Sequence, residues 1–246
     1  MIGLLRVGIV VVPLTVWYAT RILWASFRDS PTRARLCEEL PRRWARRILA
    51  LARVEVELSG TEVIDPSAPQ VLVANHTSWF DVLVFPAFLP GSYRFVGKRE
   101  LSRVPFFGAA FQACGHITID RQDRERALES MDRARRQLEA ERPTIILFPE
   151  GTRSPTGELR PFKKGAFVLA IQTGTEVVPA SIEGSRAVMP KGSWRISPGT
   201  IRVRFGEPIP VAGLTLDDRD ALTRRAWEAV SALQGTVRHN QGNKHR

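Results

Sequence analysis

At 246 residues, 43% hydrophobic and 25% charged, the chain can bury one good core and reads as a single globular domain. Its formal charge of +11 favours anionic partners: nucleic acid, anionic lipid, phosphorylated metabolites or an acidic carrier protein. Cys37 and Cys114 lie too far apart to make a metal-spaced pair, and His76, His116, His239 and His245 form no cluster with them, so no metal is expected and a reducing compartment is the simplest fit.

Residues 7–20 carry no charge; Arg6 and Arg21 bracket them, and Ile22, Leu23, Trp24 and Phe27 continue the apolar character. A spanning helix needs ~20 apolar residues. Two arrangements therefore stay open: a span over 2–27 with snorkelling arginines, or a helix embedded in one leaflet, with a kink expected at Pro13. No small-residue cleavage site follows, so a cleaved leader is not expected. Next, Leu36, Leu40, Trp44, Ile48 and Leu51 recur at near-helical spacing among Arg42, Arg43, Arg46 and Arg47. This basic amphipathic segment suits an anionic membrane surface, the alternative being an ordinary helix packed on the domain. Positive charge after the first apolar segment places the remainder on the cytoplasmic side. The expected organisation is a membrane-anchoring helical segment over 1–53, a folded domain over 54–237 and a polar, disordered tail over 238–246.

Along the body, strands are expected at 54–58, 70–74, 93–97, 116–119, 144–148, 177–182 and 200–205. Helices are expected at 78–89, 103–113, 123–141, 164–173 and 217–233. Such alternation predicts an α/β fold: a central, largely parallel sheet flanked by helices, preceded by the apolar and amphipathic helical anchor.

Chemistry is carried by loops that follow strands. Asn75-His76-Thr77-Ser78-Trp79-Phe80-Asp81 comes directly after Val71-Leu72-Val73-Ala74. An imidazole beside a carboxylate that fixes its tautomer is the minimum equipment for taking a proton from a hydroxyl. The strand exit is also where open α/β sheets bind ligands. The plainer reading is a capping box, Ser78-x-x-Asp81, in which Asp81 satisfies backbone donors and His76 is a loop residue; the two readings are compatible. Gly115-His116-Ile117-Thr118-Ile119-Asp120-Arg121 likewise leaves a strand, and alone reads as a solvated turn. In Phe148-Pro149-Glu150-Gly151-Thr152-Arg153-Ser154, Pro149 ends a strand and Gly151 permits a tight path. Thr152 and Arg153 can donate to an anion, and Glu150 can anchor an arginine or accept from a hydroxyl. Lys163 and Lys164 add positive charge before the next helix.

Together these blocks resemble the lysophosphatidic acid acyltransferase family (1-acylglycerol-3-phosphate O-acyltransferases). His76 and Asp81 match its His-x-x-x-x-Asp block, Gly115 through Arg121 the second, and Phe148 through Ser154 the third. Val177-Val178-Pro179-Ala180 matches the fourth, with alanine where the family often has valine. Lys98 and Pro105-Phe106-Phe107-Gly108 also fit, and the likeness covers roughly residues 40–210.

The resemblance implies a membrane-bound enzyme that moves a fatty acyl group from acyl-CoA or an acyl-carrier-protein thioester to the sn-2 hydroxyl of lysophosphatidic acid, giving phosphatidic acid in phospholipid biosynthesis. His76 would be the general base and Asp81 its orienting partner. Arg121, Glu150, Gly151, Thr152 and Arg153 would form the acceptor's phosphate site, with Lys98 a further candidate, and Pro179 would shape the acyl channel. No metal or cofactor beyond the thioester co-substrate is expected. The expected location is the cytoplasmic face of a membrane, a bacterial inner membrane by this reading, with membrane lipids as partners and no nucleic acid. Without a Gly-x-Ser-x-Gly elbow, an acyl-enzyme is not expected. The alternatives are another lysolipid acceptor such as a lyso-ornithine lipid, a membrane-bound lipid or thioester hydrolase, and a non-enzymatic lipid or nucleic-acid binder.

Overall fold

Seven apolar runs become seven strands: β1 (Val54–Ser59), β2 (Gln70–Ala74), β3 (Tyr93–Lys98), β4 (Ile117–Ile119), β5 (Thr144–Leu147), β6 (Val177–Glu183) and β7 (Gly199–Phe205). They form one sheet in the order β1-β7-β6-β2-β5-β3-β4. All neighbouring pairs are parallel except β6 with β7. The computed structural model describes residues 11–25, 27, 30–120 and 123–242.

Helices cover both faces, which is why every residue of β2 is buried and its sequence is continuously apolar after Gln70. The helices are α1 (Val12–Ala25), α2 (Ser30–Leu51), α3 (Asp81–Phe88), α4 (Phe107–Ala113), α5 (Arg124–Glu141), α6 (Gly165–Thr173), α7 (Ser185–Val188) and α8 (Arg219–Gly242). The pleat sorts the strand residues by face. Leu72, Ile146 and Val178 pack with Ala45, Ile48, Leu83 and Phe85 of α2 and α3. Val71, Val73, Ile145 and Val177 pack with Leu138, Phe167 and Leu222 of α5, α6 and α8. Because β2, β3, β4, β5 and β6 all run the same way, their C-terminal ends share one edge. Each loop singled out in the sequence leaves from that edge.

The N-terminal region departs from expectation. The apolar face of α2 does not face outward: Leu40, Ala45, Ile48 and Leu49 are buried within the protein. Two of its arginines bond carbonyls of the domain as well. Arg42 donates to the carbonyls of Leu89 and Gly91, and Arg46 donates to Ala87 O at 2.7 Å. Helix ends leave carbonyls without partners and carry partial negative charge, so two guanidiniums at the end of α3 answer both needs. The basic amphipathic pattern of α2 is thus largely that of a helix packed on the domain, and only its exposed positions, Arg43 and Arg47 among them, face solvent.

Helix α1 lies against α2 and α4 through Tyr18, Ala19 and Ile22. It is tied to α2 by a bond from Trp44 Nε1 to Thr15 Oγ1 at 3.0 Å. Its outer side leaves Val12, Trp17 and Trp24 exposed, and Phe27 beyond it is 88% exposed. Among the described residues no helix is long and apolar enough to cross a membrane. Pro13 falls at the second position of α1, at the edge of the described residues. At the other end α8 continues as helix through Gly242, past residue 238 where the tail was expected to begin.

The cysteines also correct the sequence reading. Cys37 of α2 and Cys114, just after α4, form a disulfide with Cα atoms 5.2 Å apart. Their 77-residue separation in sequence hides a tertiary contact that spacing does not reveal. The bridge fastens the N-terminal helical pair to the α/β core. Replacing both residues (Cys37→Ser with Cys114→Ser) should lower unfolding stability by about 2–4 kcal/mol, read from urea denaturation. Coincident wild-type and variant curves would show that the bridge contributes nothing.

Candidate active site

The site is built on the turn between β2 and α3. Asn75, the first residue beyond β2, spans to β6: its amide donates to Ile182 O at 2.8 Å and its carbonyl accepts from Ile182 N at 2.7 Å. That double bond fixes where the chain leaves the sheet. The next three residues wrap around one oxygen. Asp81 Oδ2 accepts from Thr77 N at 2.6 Å, from Ser78 N at 2.8 Å and from His76 Nδ1 at 2.8 Å. Asp81 is fully buried at the first position of α3, where the helix end favours negative charge. The expected capping box does not form: Ser78 N donates to Asp81, but Ser78 Oγ accepts from Phe80 N at 3.1 Å and not from Asp81 N, and Phe80 is the N-cap residue. The same carboxylate thus holds both the turn's backbone amides and the imidazole ring.

With Nδ1–H committed to Asp81, the His76 tautomer leaves Nε2 as the basic nitrogen. The ring stacks on Phe148 with centroids 4.2 Å apart, and its side chain is 14% exposed. Phe148 closes the floor of the site with Phe85 and Phe95 behind it.

The loop after β5 meets this turn from the next strand. Ser154 N donates to His76 O at 2.7 Å. Glu150 turns inward: Oε1 accepts from His76 N at 2.7 Å, and Oε2 accepts from Arg160 N at 3.3 Å. Its carboxylate therefore clamps the histidine's backbone and lies back from the solvent side, 4% exposed. Burial raises the Glu150 carboxyl to about 7, against the opposing pull of those two amide bonds. Gly151 adopts φ +74°, a backbone conformation that favours glycine. Thr152 is exposed beside it.

Arg153 lays its guanidinium over Trp79, 5.0 Å from the ring centroid. Partial burial pulls its pKa down and the nearby Asp81 charge pulls it up. Among the described residues Arg153 has no salt-bridge partner within 4.0 Å, which leaves a desolvated cation beside the His76 turn. Lys98, at the end of β3, is held by Glu100 at 2.6 Å. Asp120 is paired with Arg99 at 2.6 Å. Arg121 lies outside the described residues. Pro179 sits within β6 opposite Val73, where the missing amide leaves no gap because pairing with β7 starts one residue later, at Ala180.

His116 belongs to the core. Tyr93, Phe95 and Phe111 surround its ring, Phe95 N donates to its Nδ1 at 3.2 Å, and burial drives its pKa down to about 3, so it stays neutral.

Sequence reasoning missed the segment after β6. Thr77 Oγ1 and Ser185 Oγ are 2.9 Å apart, Ser78 Oγ donates to Met189 O at 2.7 Å, and Ser78 and Pro190 form an antiparallel bridge. No local signal marks these residues; their role arises because β6 pairs with β2.

At the mouth of a parallel sheet, then, a buried carboxylate orients a histidine, with the Arg153 cation beside it. A family model described as Acyltransferase matches residues 55–183. The human 1-acyl-sn-glycerol-3-phosphate acyltransferase alpha is 37% identical over 177 residues, 72% of this chain and 62% of its own length. The coconut (Cocos nucifera) 1-acyl-sn-glycerol-3-phosphate acyltransferase is 33% identical over 154 residues, 63% of this chain and 49% of its own. The crystal structure of the 1-acyl-sn-glycerophosphate (LPA) acyltransferase PlsC from Thermotoga maritima superposes with a TM-score of 0.81 at 25% identity, covering 96% of this chain and 95% of that one. The matched region thus spans less than two thirds of the human relative's length. The chain belongs to the acyltransferase family that contains these lysophosphatidic acid acyltransferases.

The Glu150 clamp carries a pH signature. Folded, this carboxyl keeps its proton up to about pH 7, whereas unfolded it releases it near 4.5. Between those values the folded chain holds the extra proton, so this group's contribution to stability falls as pH rises through the window. The unfolding temperature of wild type relative to Glu150→Gln should therefore drop from about pH 4.5 to about pH 7 and level off above. Parallel melting profiles across that range would contradict it.

Proposed function

We propose that this protein transfers a fatty acyl group from a thioester, acyl-CoA or acyl carrier protein, to the free sn-2 hydroxyl of lysophosphatidic acid. The observation that carries this reading is the His76–Asp81 pair, 2.8 Å apart, with the unpaired Arg153 cation at the same turn. The names of its relatives favour the same substrate class.

In this mechanism the acceptor's phosphate is drawn by Arg153 and by the exposed Thr152 hydroxyl, which sets the sn-2 hydroxyl against His76 Nε2. The nitrogen takes the proton as the hydroxyl oxygen attacks the thioester carbonyl. Asp81 stabilises the resulting imidazolium through Nδ1–H. Collapse of the tetrahedral intermediate breaks the C–S bond, and the proton on Nε2 passes to the departing thiolate. Phosphatidic acid and free thiol leave. No acyl-enzyme forms and no cofactor beyond the thioester takes part. Glu150 acts here as a positioning residue, because a carboxylate bound to the His76 amide fixes the loop and would repel a phosphate.

A lysophospholipid resides in a bilayer and its thioester donor in water, so we place the enzyme at a membrane interface, on the cytoplasmic face where such donors occur. The exposed Trp17 and Trp24 on the outer side of the N-terminal helix, with the exposed Phe27 beyond its end, support this placement, since aromatic side chains favour the headgroup region.

The decisive assay offers lysophosphatidic acid with each thioester donor. Wild type should form phosphatidic acid. His76→Ala should lower kcat by about 10²–10⁴-fold, and Arg153→Ala should chiefly raise the acceptor KM, by about tenfold. Thioester loss without a new lipid would point to a hydrolase. Flotation with phosphatidylglycerol vesicles should recover the wild type, and replacing Trp17, Trp24 and Phe27 with serine should leave it at the bottom of the gradient. Equal recovery of both would defeat the interfacial placement.

A further inference from the structure

We infer that Lys191, which lies outside every sequence block discussed above, is a second phosphate-binding cation that reads the dianionic phosphomonoester of the acceptor; this rests on the function proposed above.

Lys191 follows the bridge between Pro190 and Ser78, so the chain delivers it to the rim of the His76 turn. Its Nζ donates to Arg153 O at 2.9 Å and to Thr152 Oγ1 at 3.4 Å. It therefore touches both residues that face an incoming anion in the loop after β5. Both of its bonds are to neutral oxygens. Among the described residues Lys191 has no carboxylate within 4.0 Å, whereas Lys98 is neutralised by Glu100 and Lys164 by Asp220. Arg153 is also without a carboxylate partner, and its guanidinium stacks on Trp79, the residue after Ser78. Two uncompensated cations thus approach one turn from two different strands.

A phosphate monoester near neutral pH carries up to two charges, which a single guanidinium does not fully balance. An ammonium on a flexible stem, resting on a carbonyl and a hydroxyl, exchanges those weak partners for a phosphate oxygen with little loss. Lysine suits this place because it behaves as a movable point charge, while Arg153 is held flat against an indole.

The test compares two acceptors that share the sn-2 hydroxyl: lysophosphatidic acid, a phosphomonoester, and lysophosphatidylmethanol, a phosphodiester with one negative charge. Wild type, Lys191→Met and Lys191→Arg are assayed with acyl-CoA as donor. The expected result is that Lys191→Met raises the KM for lysophosphatidic acid by about tenfold and leaves kcat and the acyl-CoA KM within about twofold. It should also shrink the kcat/KM preference for phosphomonoester over phosphodiester, and Lys191→Arg should restore much of that preference.

Equal losses on both acceptors, with a lowered kcat, would overturn the inference in favour of a loop tether. A KM rise confined to acyl-CoA would overturn it too, because the lysine would then serve the donor's phosphates. Unchanged constants would leave Lys191 without a role. Wild type that acylates neither acceptor would instead defeat the proposed function itself, a result recorded before any variant is compared.

Discussion

One carboxylate oxygen organises the site. Asp81 Oδ2 gathers two backbone amides and the His76 ring within 2.8 Å, at a fully buried position at the start of α3. Removing water from a carboxylate is unfavourable unless hydrogen bonds replace it. Here the three donors that compensate the charge are also those that define the turn. The same carboxylate that holds the turn before α3 also sets where His76 points, so the site cannot be separated from the local fold.

The turn is in turn held by its neighbours on the sheet. Asn75 sews it to β6, Glu150 and Ser154 bind the His76 backbone from the loop after β5, and Ser78 bonds the segment after α7. Three loops from adjacent strands support one imidazole, which is how a loop site acquires rigidity. The buried Glu150 illustrates the tension in such designs. Its charge is disfavoured by burial, yet both of its oxygens are used to position backbone amides.

The N-terminal pair of helices plays a different part. Its inner surface is consumed by the domain: α2 buries Ile48 and Leu49 and lends Arg42 and Arg46 to the open carbonyls at the end of α3, while the Cys37–Cys114 bridge fastens it to α4. What remains for an outside partner is the aromatic outer side of α1. A helix that reads as basic and amphipathic thus divides its arginines between intramolecular carbonyls and solvent, a division that spacing alone does not reveal.

The sequence by itself determined the order and type of the elements and the identity of the central pair. Apolar runs alternating with helical periodicity demanded a largely parallel sheet, and all seven expected strands formed with shifts of one residue or none at each end. His76 and Asp81 were legible because four intervening residues bring them onto one turn, an interaction within reach of local geometry. Only the tertiary structure decided what met them. Glu150 gave no sign of facing inward, His116 none of being a core residue, and Cys37 none of meeting Cys114. Lys191 has no motif around it and reaches Arg153 only because β6 lies beside β2 and β2 beside β5. Periodicity and capping act over a few residues and are written in the chain. Strand order and burial are set by contacts between distant segments, and those exist only once the sheet has formed.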